Sequence, residues 1–402
     1  MTELNSDNTS GIAKNHSHKS DEANMNPEFL LLMQDYRGIY TKSIETNSDV
    51  SSLPYEMCAR KIFSMLLYYG DSYINAFASE GFTAEQVVPI CRPLQYKWAE
   101  EHSLRTLPSW VSKRPFRWYW TRGLKTSPVL WDCGRILNEQ IKSLKPRFIW
   151  VFSGVPVSYD DLQRWRSYTE RILLWWSSPL TTGFPYDGFD LILSGIPSLV
   201  QHFQKQGLKA AYLPHAFDYR TLQFIPSFTN RVPRVAFLGS LSRNHKERIE
   251  FLDALSRQIE IDFYGNGLDL LPDDSPLRTR YKGTAWGRDL YAVYGSYPIV
   301  LHKNIDMAGK SASAKRLFEA TGMGACVVTE AGDDLEGLFQ PERELVTYSS
   351  FEECVDKIKY LLENQDKALQ IGRMAQNRTL TDHTYERRVK KIMNCMTDYG
   401  LY

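Results

Sequence analysis

Short, unbroken apolar runs alternate with longer mixed stretches along most of the chain. From "PEFLLLMQDY" onward, the runs that read as strands are Phe29 to Gln34, Phe148 to Phe152, Ile172 to Trp176, Leu191 to Ser194 and Ala210 to Leu213. Amphipathic helix patterns lie between several of them. That alternation predicts a parallel sheet covered by helices. The pattern lapses in "IPSFTNRVPR", which is punctuated by proline, and restarts in "VAFLGSL", "IEIDFYG", "PIVLH" and "ACVVT". A linker is expected near Phe224 to Val232, with a second α/β domain behind it. The expected organisation is a disordered tail over 1–26, a first Rossmann-like domain over 27–228, a second over 229–385 and a closing helix over 386–402.

Composition narrows the class without naming a function. The 402 residues, 43% of them hydrophobic, suffice for two cores. Forty-eight basic against 47 acidic residues leave a net charge of +1, so no global field argues for nucleic acid, and a charged partner must meet a local patch. Six cysteines without a C-x-x-C spacing read as reduced packing thiols of a cytosolic protein. The polar N-terminus resembles neither a signal peptide nor a span, and no later run reaches the ~18 apolar residues a span needs. A cytoplasmic location is expected.

Two sequential parallel sheets place a cleft at the carboxyl ends of their strands, where open α/β sheets bind ligands. The rim of the second domain holds "GSLSRNHKER", "YGNG", "KGTAWG" and "DMAGKSASAKRLFEA". A cap at Ser311 or Ser313 would leave free backbone N–H groups as an anion site at the start of the next helix. Lys315 and Arg316 then precede Glu319 by four and three residues, so the carboxylate lies one turn, ~5–6 Å, deeper than the cations. A diphosphate and its ribose are separated by a similar distance, which fits a nucleoside diphosphate with Glu319 accepting from the ribose hydroxyls. The same spacing also describes a solvated surface pair worth ~0.3–0.5 kcal/mol, and spacing alone does not separate the two. A P-loop is excluded because Asn304 stands where the first glycine of G-x-x-x-x-G-K-S belongs. Leu270 likewise breaks a dinucleotide fingerprint at Gly265 to Gly267. The chain has no H-E-x-x-H and no G-x-S-x-G, which argues against structural zinc and against a hydrolase elbow.

The stretch "LFEATGMGACVVTEAGDDLEGLF…ELVTYSSFEECVDKIKYLLEN…TLTDHTYERR" resembles the C-terminal half of group 1-like glycosyltransferases of the spore-maturation type, which have the GT-B fold. The earlier "LPYE…YYGDSYINAFASEGFTAEQVVPICRPLQYKWAEEH" is similar to the acceptor-side segment that often precedes such domains. The resemblance runs from about Pro27 to the end. It implies a glycosyltransferase with two facing Rossmann-like domains and a nucleotide-sugar donor, with Glu319 as the ribose-binding carboxylate. It makes the loop after Gly239, with Arg248 and Arg243, a diphosphate clamp. Gly265 and Ser313 join that rim, and Gly283 to Gly287, with Trp286, become the wall of the base pocket. Many relatives carry a second glutamate eight positions earlier, where this chain has Ser311.

No Asp-x-Asp occurs in the chain, so no metal is expected and cations and helix N–H groups must meet the leaving-group charge. Arg248, Lys315 and Arg316 are the expected cations, and Asp71, or His215 with Asp218, the candidate bases on the first domain's rim. "HTYERR" is expected to stabilise the last helices. An inactive nucleotide-sugar-binding protein and a sugar-nucleotide epimerase remain alternatives. Between Ser103 and Trp131 lie Arg105, Lys113, Arg114, Arg117, Arg122 and Lys125, with no acidic residue and with Trp110, Phe116, Trp118, Tyr119, Trp120 and Trp131 interleaved. That mixture suits an anionic membrane headgroup layer, a surface where sugars stack on rings, or a partly packed loop. The first of these points to a peripheral enzyme with a lipid-linked or cell-envelope glycan acceptor.

Overall fold

The computed structural model describes residues 26–108, 128–225, 230–243, 245–304 and 314–402. The tail, the centre of the linker, Ser311, Ser313 and most of the basic aromatic segment lie outside those residues.

Eleven strands form two sheets among the described residues, all of their pairings parallel. The first contains β1 (Phe29–Leu32), β2 (Ala84–Val87), β3 (Phe148–Phe152), β4 (Arg171–Trp175), β5 (Leu191–Ser194) and β6 (Ala210–Tyr212), in the order β2-β1-β3-β4-β5-β6. The second contains β7 (Val235–Leu238), β8 (Ile261–Tyr264), β9 (Ile299–His302), β10 (Cys326–Glu330) and β11 (Val346–Tyr348), in the order β11-β10-β9-β7-β8. Each sheet is covered on both faces, which is why its strands read as unbroken apolar runs. In β1, Phe29 and Leu31 enter one core and Leu30 and Leu32 another. In β7, Val235 and Phe237 are separated from Ala236 and Leu238 in the same way. Strands β2 and β11 depart from the expected set. Both are short sheet edges, and "AEQV" and "VTY" lack the apolar run of an interior strand.

The helices that position the cleft are α1 (Tyr55–Phe63), α2 (Ser72–Ser79), α3 (Lys246–Ser256), α4 (Arg288–Ser296), α5 (Lys315–Gly322), α6 (Gln365–Asp382) and α7 (Tyr385–Asp398). After α6 the chain returns to the first sheet, where α7 packs on α2 and adds Tyr385, Val389, Ile392 and Met396 to its core. The outgoing and returning segments meet where Phe217 N donates to the His383 carbonyl at 2.8 Å. Buried Arg388 ties them together, its Nε donating to the carbonyls of Pro214 (2.8 Å) and His215 (2.9 Å) and its Nη1 to that of Asp382 (3.0 Å). "HTYERR" thus joins both crossings, beyond steadying its own helices. Among the described residues, no helix is long and apolar enough to cross a membrane.

Candidate functional site

The carboxyl ends of both sheets open onto one cleft of about 440 Å³. On the first domain's side its wall is aromatic. Tyr36 and Tyr68 stack with centroids 5.1 Å apart, and Trp286 of the second domain stands 6.0 Å from Tyr36. Arg37, Leu66 and Tyr68 all line the cleft, and all have left-handed backbones, with φ of 54°, 59° and 55°. A non-glycine residue held there costs ~1–3 kcal/mol and persists only where its surroundings over-determine it. Buried Tyr40 is part of that support, its hydroxyl donating to the Leu67 carbonyl at 2.7 Å and accepting from Gly70 N at 3.2 Å.

On the second domain's side, β7 and β8 run into Gly239 and Gly265. A Cβ on Gly265 would lie 2.0 Å from the Gly239 carbonyl oxygen, and one on Gly239 would lie 2.1 Å from Arg316 Nη1. Their absence lets Arg316 lie across the strand end and donate to the Leu238 carbonyl at 2.9 Å. Helix α5 starts at this point. Its N-cap is Ala314, whose methyl group cannot accept a hydrogen bond, and the serines expected to cap it, Ser311 and Ser313, lie outside the described residues. Glu319, one turn inside, is 2% exposed, accepts from Tyr291 Oη at 3.4 Å and pairs with Lys315. This burial removes the solvated-pair reading. The Lys315 Nζ also lies 5.6 Å from the centroid of Tyr69, so it reaches across the cleft.

His215 enters from the first domain, with Nδ1 3.4 Å from Tyr69 Oη and its ring 5.3 Å from that of Trp175. Burial, then the charges of Lys315 and Arg388, push its pKa down to about 3. It is a neutral ring at neutral pH, suited to hydrogen bonding and far from the near-neutral value of an efficient general base.

Of the expected residues, His215, Gly239, Arg248, Gly265, Trp286, Lys315, Arg316 and Glu319 line this cleft. Arg248 is buried at its edge, donating to the carbonyls of Lys303 (2.7 Å), Asn304 (3.3 Å) and Ser240 (3.4 Å), and so braces the loops after β7 and β9. Arg243 is exposed and outside the lining, while the Gly283 carbonyl accepts from Gly265 N at 2.9 Å. Asp71 is also outside the lining, where it accepts from Arg220 Nη2 at 2.7 Å. Asp218 pairs with the same guanidinium and accepts from Ser72 Oγ at 2.7 Å. Ser313 lies outside the described residues. Tyr36, Tyr68, Tyr69 and His302 line the cleft without having been expected there. The tyrosines of "YYGDSY" carry a visible signal, being paired aromatics before a glycine, whereas nothing in "PIVLH" marks its histidine.

Residues 243–394 match the model of a family described as "Glycosyl transferase-like". No curated protein sequence matches significantly. Among solved structures, that of Anabaena HepE in complex with UDP-glucose aligns with a TM-score of 0.53 at 13% identity, over 92% of this chain and 99% of that one. A glycosyltransferase from Rickettsia africae aligns with a TM-score of 0.51 at 11% identity, over 92% and 98%. Against the GtfA/B complex, at 16% identity and a TM-score of 0.44, the alignment takes in 67% of this chain and 61% of that one, less than two thirds of its length. The two matches over nearly the full length of both chains show the fold, two Rossmann-like domains facing a central cleft in the GT-B arrangement.

Proposed function

We propose that this protein is a group 1-like glycosyltransferase of the spore-maturation type, moving a sugar, with a hexose the first choice, from a nucleoside-diphosphate sugar to a glycan acceptor. The observation that carries the reading is Glu319, a buried carboxylate one turn inside a helix whose cationic start faces the cleft. In this reading Glu319 accepts from the ribose hydroxyls. Lys315 leaves Glu319 for the diphosphate, where Arg316 and the first N–H groups of α5 add fixed positive potential. Arg248 holds the surrounding loops, and the Tyr36, Tyr68 and Trp286 rings offer faces on which an acceptor sugar can stack.

With no Asp-x-Asp in the chain, the leaving diphosphate is met by these fixed charges, the kind of stabilisation that usually supplies the largest share of catalysis. Activity is expected to survive EDTA, and strict dependence on added Mg²⁺ or Mn²⁺ would overturn this part. The basic aromatic sequence of 103–131 supports an acceptor at an anionic, cell-envelope surface. Co-sedimentation with anionic liposomes at low salt, released at roughly 0.5 M, tests it.

The decisive experiment is a thermal-shift screen against UDP-, GDP-, dTDP- and ADP-sugars, since a ligand at 100 times its Kd stabilises by ~2.7 kcal/mol. The UDP-glucose bound in HepE makes the uridine series the first to try. Release of nucleoside diphosphate only when an acceptor is present identifies a transferase. Interconversion of the sugar without acceptor identifies an epimerase, and binding with neither identifies a binding protein.

A further inference from the structure

His302 ends β9 directly opposite Thr329 of β10. Its Nδ1 lies 3.0 Å from Thr329 Oγ1, and its Nε2 is buried with no hydrogen-bond partner, although the residue lines the cleft. A buried polar atom left unpaired costs ~1–3 kcal/mol, and at the wall of the cleft an entering ligand can remove that cost. The tautomer follows from counting donors. The Thr329 side chain is fully buried, and its hydrogen bond runs to His302. If Nδ1 carried the proton, the hydroxyl would accept it and its own proton would have nowhere to go. With the hydroxyl donating to Nδ1, both groups are satisfied and the proton sits on Nε2. The ring is neutral, because burial and the charges of Arg316, Arg248 and Lys303 hold its pKa well below the ordinary histidine value. A single N–H donor at the end of a central strand, in a cleft that Arg316 and Arg248 also line, is an environment for an anionic oxygen.

We propose that His302 Nε2–H donates to an oxygen of the donor's diphosphate, making His302 a binding residue that positions the leaving group. This rests on reading the cleft as a nucleoside-diphosphate site. The test is calorimetric titration of the wild-type protein, His302→Ala and His302→Gln with UDP, GDP, dTDP, ADP and inorganic pyrophosphate. It is paired with ¹⁵N NMR of the labelled imidazoles in the wild-type protein, which does not depend on a variant folding. Expected are a loss of about tenfold or more in affinity for both the preferred nucleotide and pyrophosphate in His302→Ala, partial recovery in His302→Gln, and a protonated Nε2 whose resonance shifts when either ligand is added. Unaltered affinity in a folded His302→Ala, or an Nε2 resonance that ignores a bound diphosphate, overturns the assignment and leaves the nucleotide reading standing. A wild-type protein that binds none of the five ligands overturns both.

Discussion

Lys315 lies within reach of a carboxylate, an aromatic face and an imidazole, and the chemistry of each depends on it. It pairs with Glu319, lies over the Tyr69 ring and is, after burial, the largest cause of the depressed pKa of His215. An unfolded histidine titrates near ~6.5. Since the folded value is about 3, the unfolded chain binds a proton between these values that the native chain refuses. The stability associated with neutral His215 is therefore present above ~6.5 and lost as pH falls through that window. Lys315→Met should raise the pKa of His215, read from its ring protons by NMR. An unmoved titration would mean that the ammonium is not beside the ring. Glu319→Gln should keep the fold while weakening nucleotide binding by ~1.5–3 kcal/mol, since a neutral amide replaces charge-assisted hydrogen bonds. Calorimetry on a variant with an unchanged circular dichroism spectrum checks it, and equal affinity would remove Glu319 from the ribose site.

At the scale of elements, the cleft's second wall consists of strand ends held in place from behind by α3. Arg248 reaches from α3 to the carbonyls after β7 and β9, and it is only 1% exposed. Arg248→Ala leaves buried carbonyls without their donor, at ~1–3 kcal/mol for each that stays unsatisfied. The expected outcome is a lower unfolding midpoint in denaturant, with nucleotide affinity falling as the loops loosen. Lost turnover at an unchanged midpoint would instead place the guanidinium on the phosphate.

Across the whole molecule, two chain crossings join the domains and one guanidinium holds both. Arg388 donates to the outgoing segment at Pro214 and His215 and to the returning segment at Asp382, while Phe217 and Thr384 form a parallel bridge beside it. These crossings also carry His215, so the geometry that unites the domains sets one wall of the cleft. Arg388→Met should cost roughly 2–4 kcal/mol, because several charge-assisted bonds to buried carbonyls disappear together. Scanning calorimetry should show the unfolding shifted down and divided into two transitions, as expected when domains lose their coupling. A single transition at the wild-type temperature would show that the apolar packing of α7 alone unites them.

The interior strands were legible in the chain because helices on both faces make every position apolar, as in "RFIWVF" and "VAFL". The edge strands β2 and β11 were not, since their partly exposed positions admit Glu85 and Thr347. The order of cations and carboxylate on α5 was equally legible, because helical spacing is a local property. Whether that carboxylate is buried was not, for Tyr291 and Tyr69 come from elements far away in the chain. In "YYGDSY" the aspartate was the obvious chemical group, yet Arg220 holds it outside the lining while the tyrosines before it form the wall. The open nitrogen of His302 follows from its register with Thr329, a pairing between strands that no local pattern encodes. Periodicity records how deeply each residue is buried, because burial acts on one residue at a time. The identity of a polar group's partner depends on two distant residues at once and is settled when the sheets and helices pack.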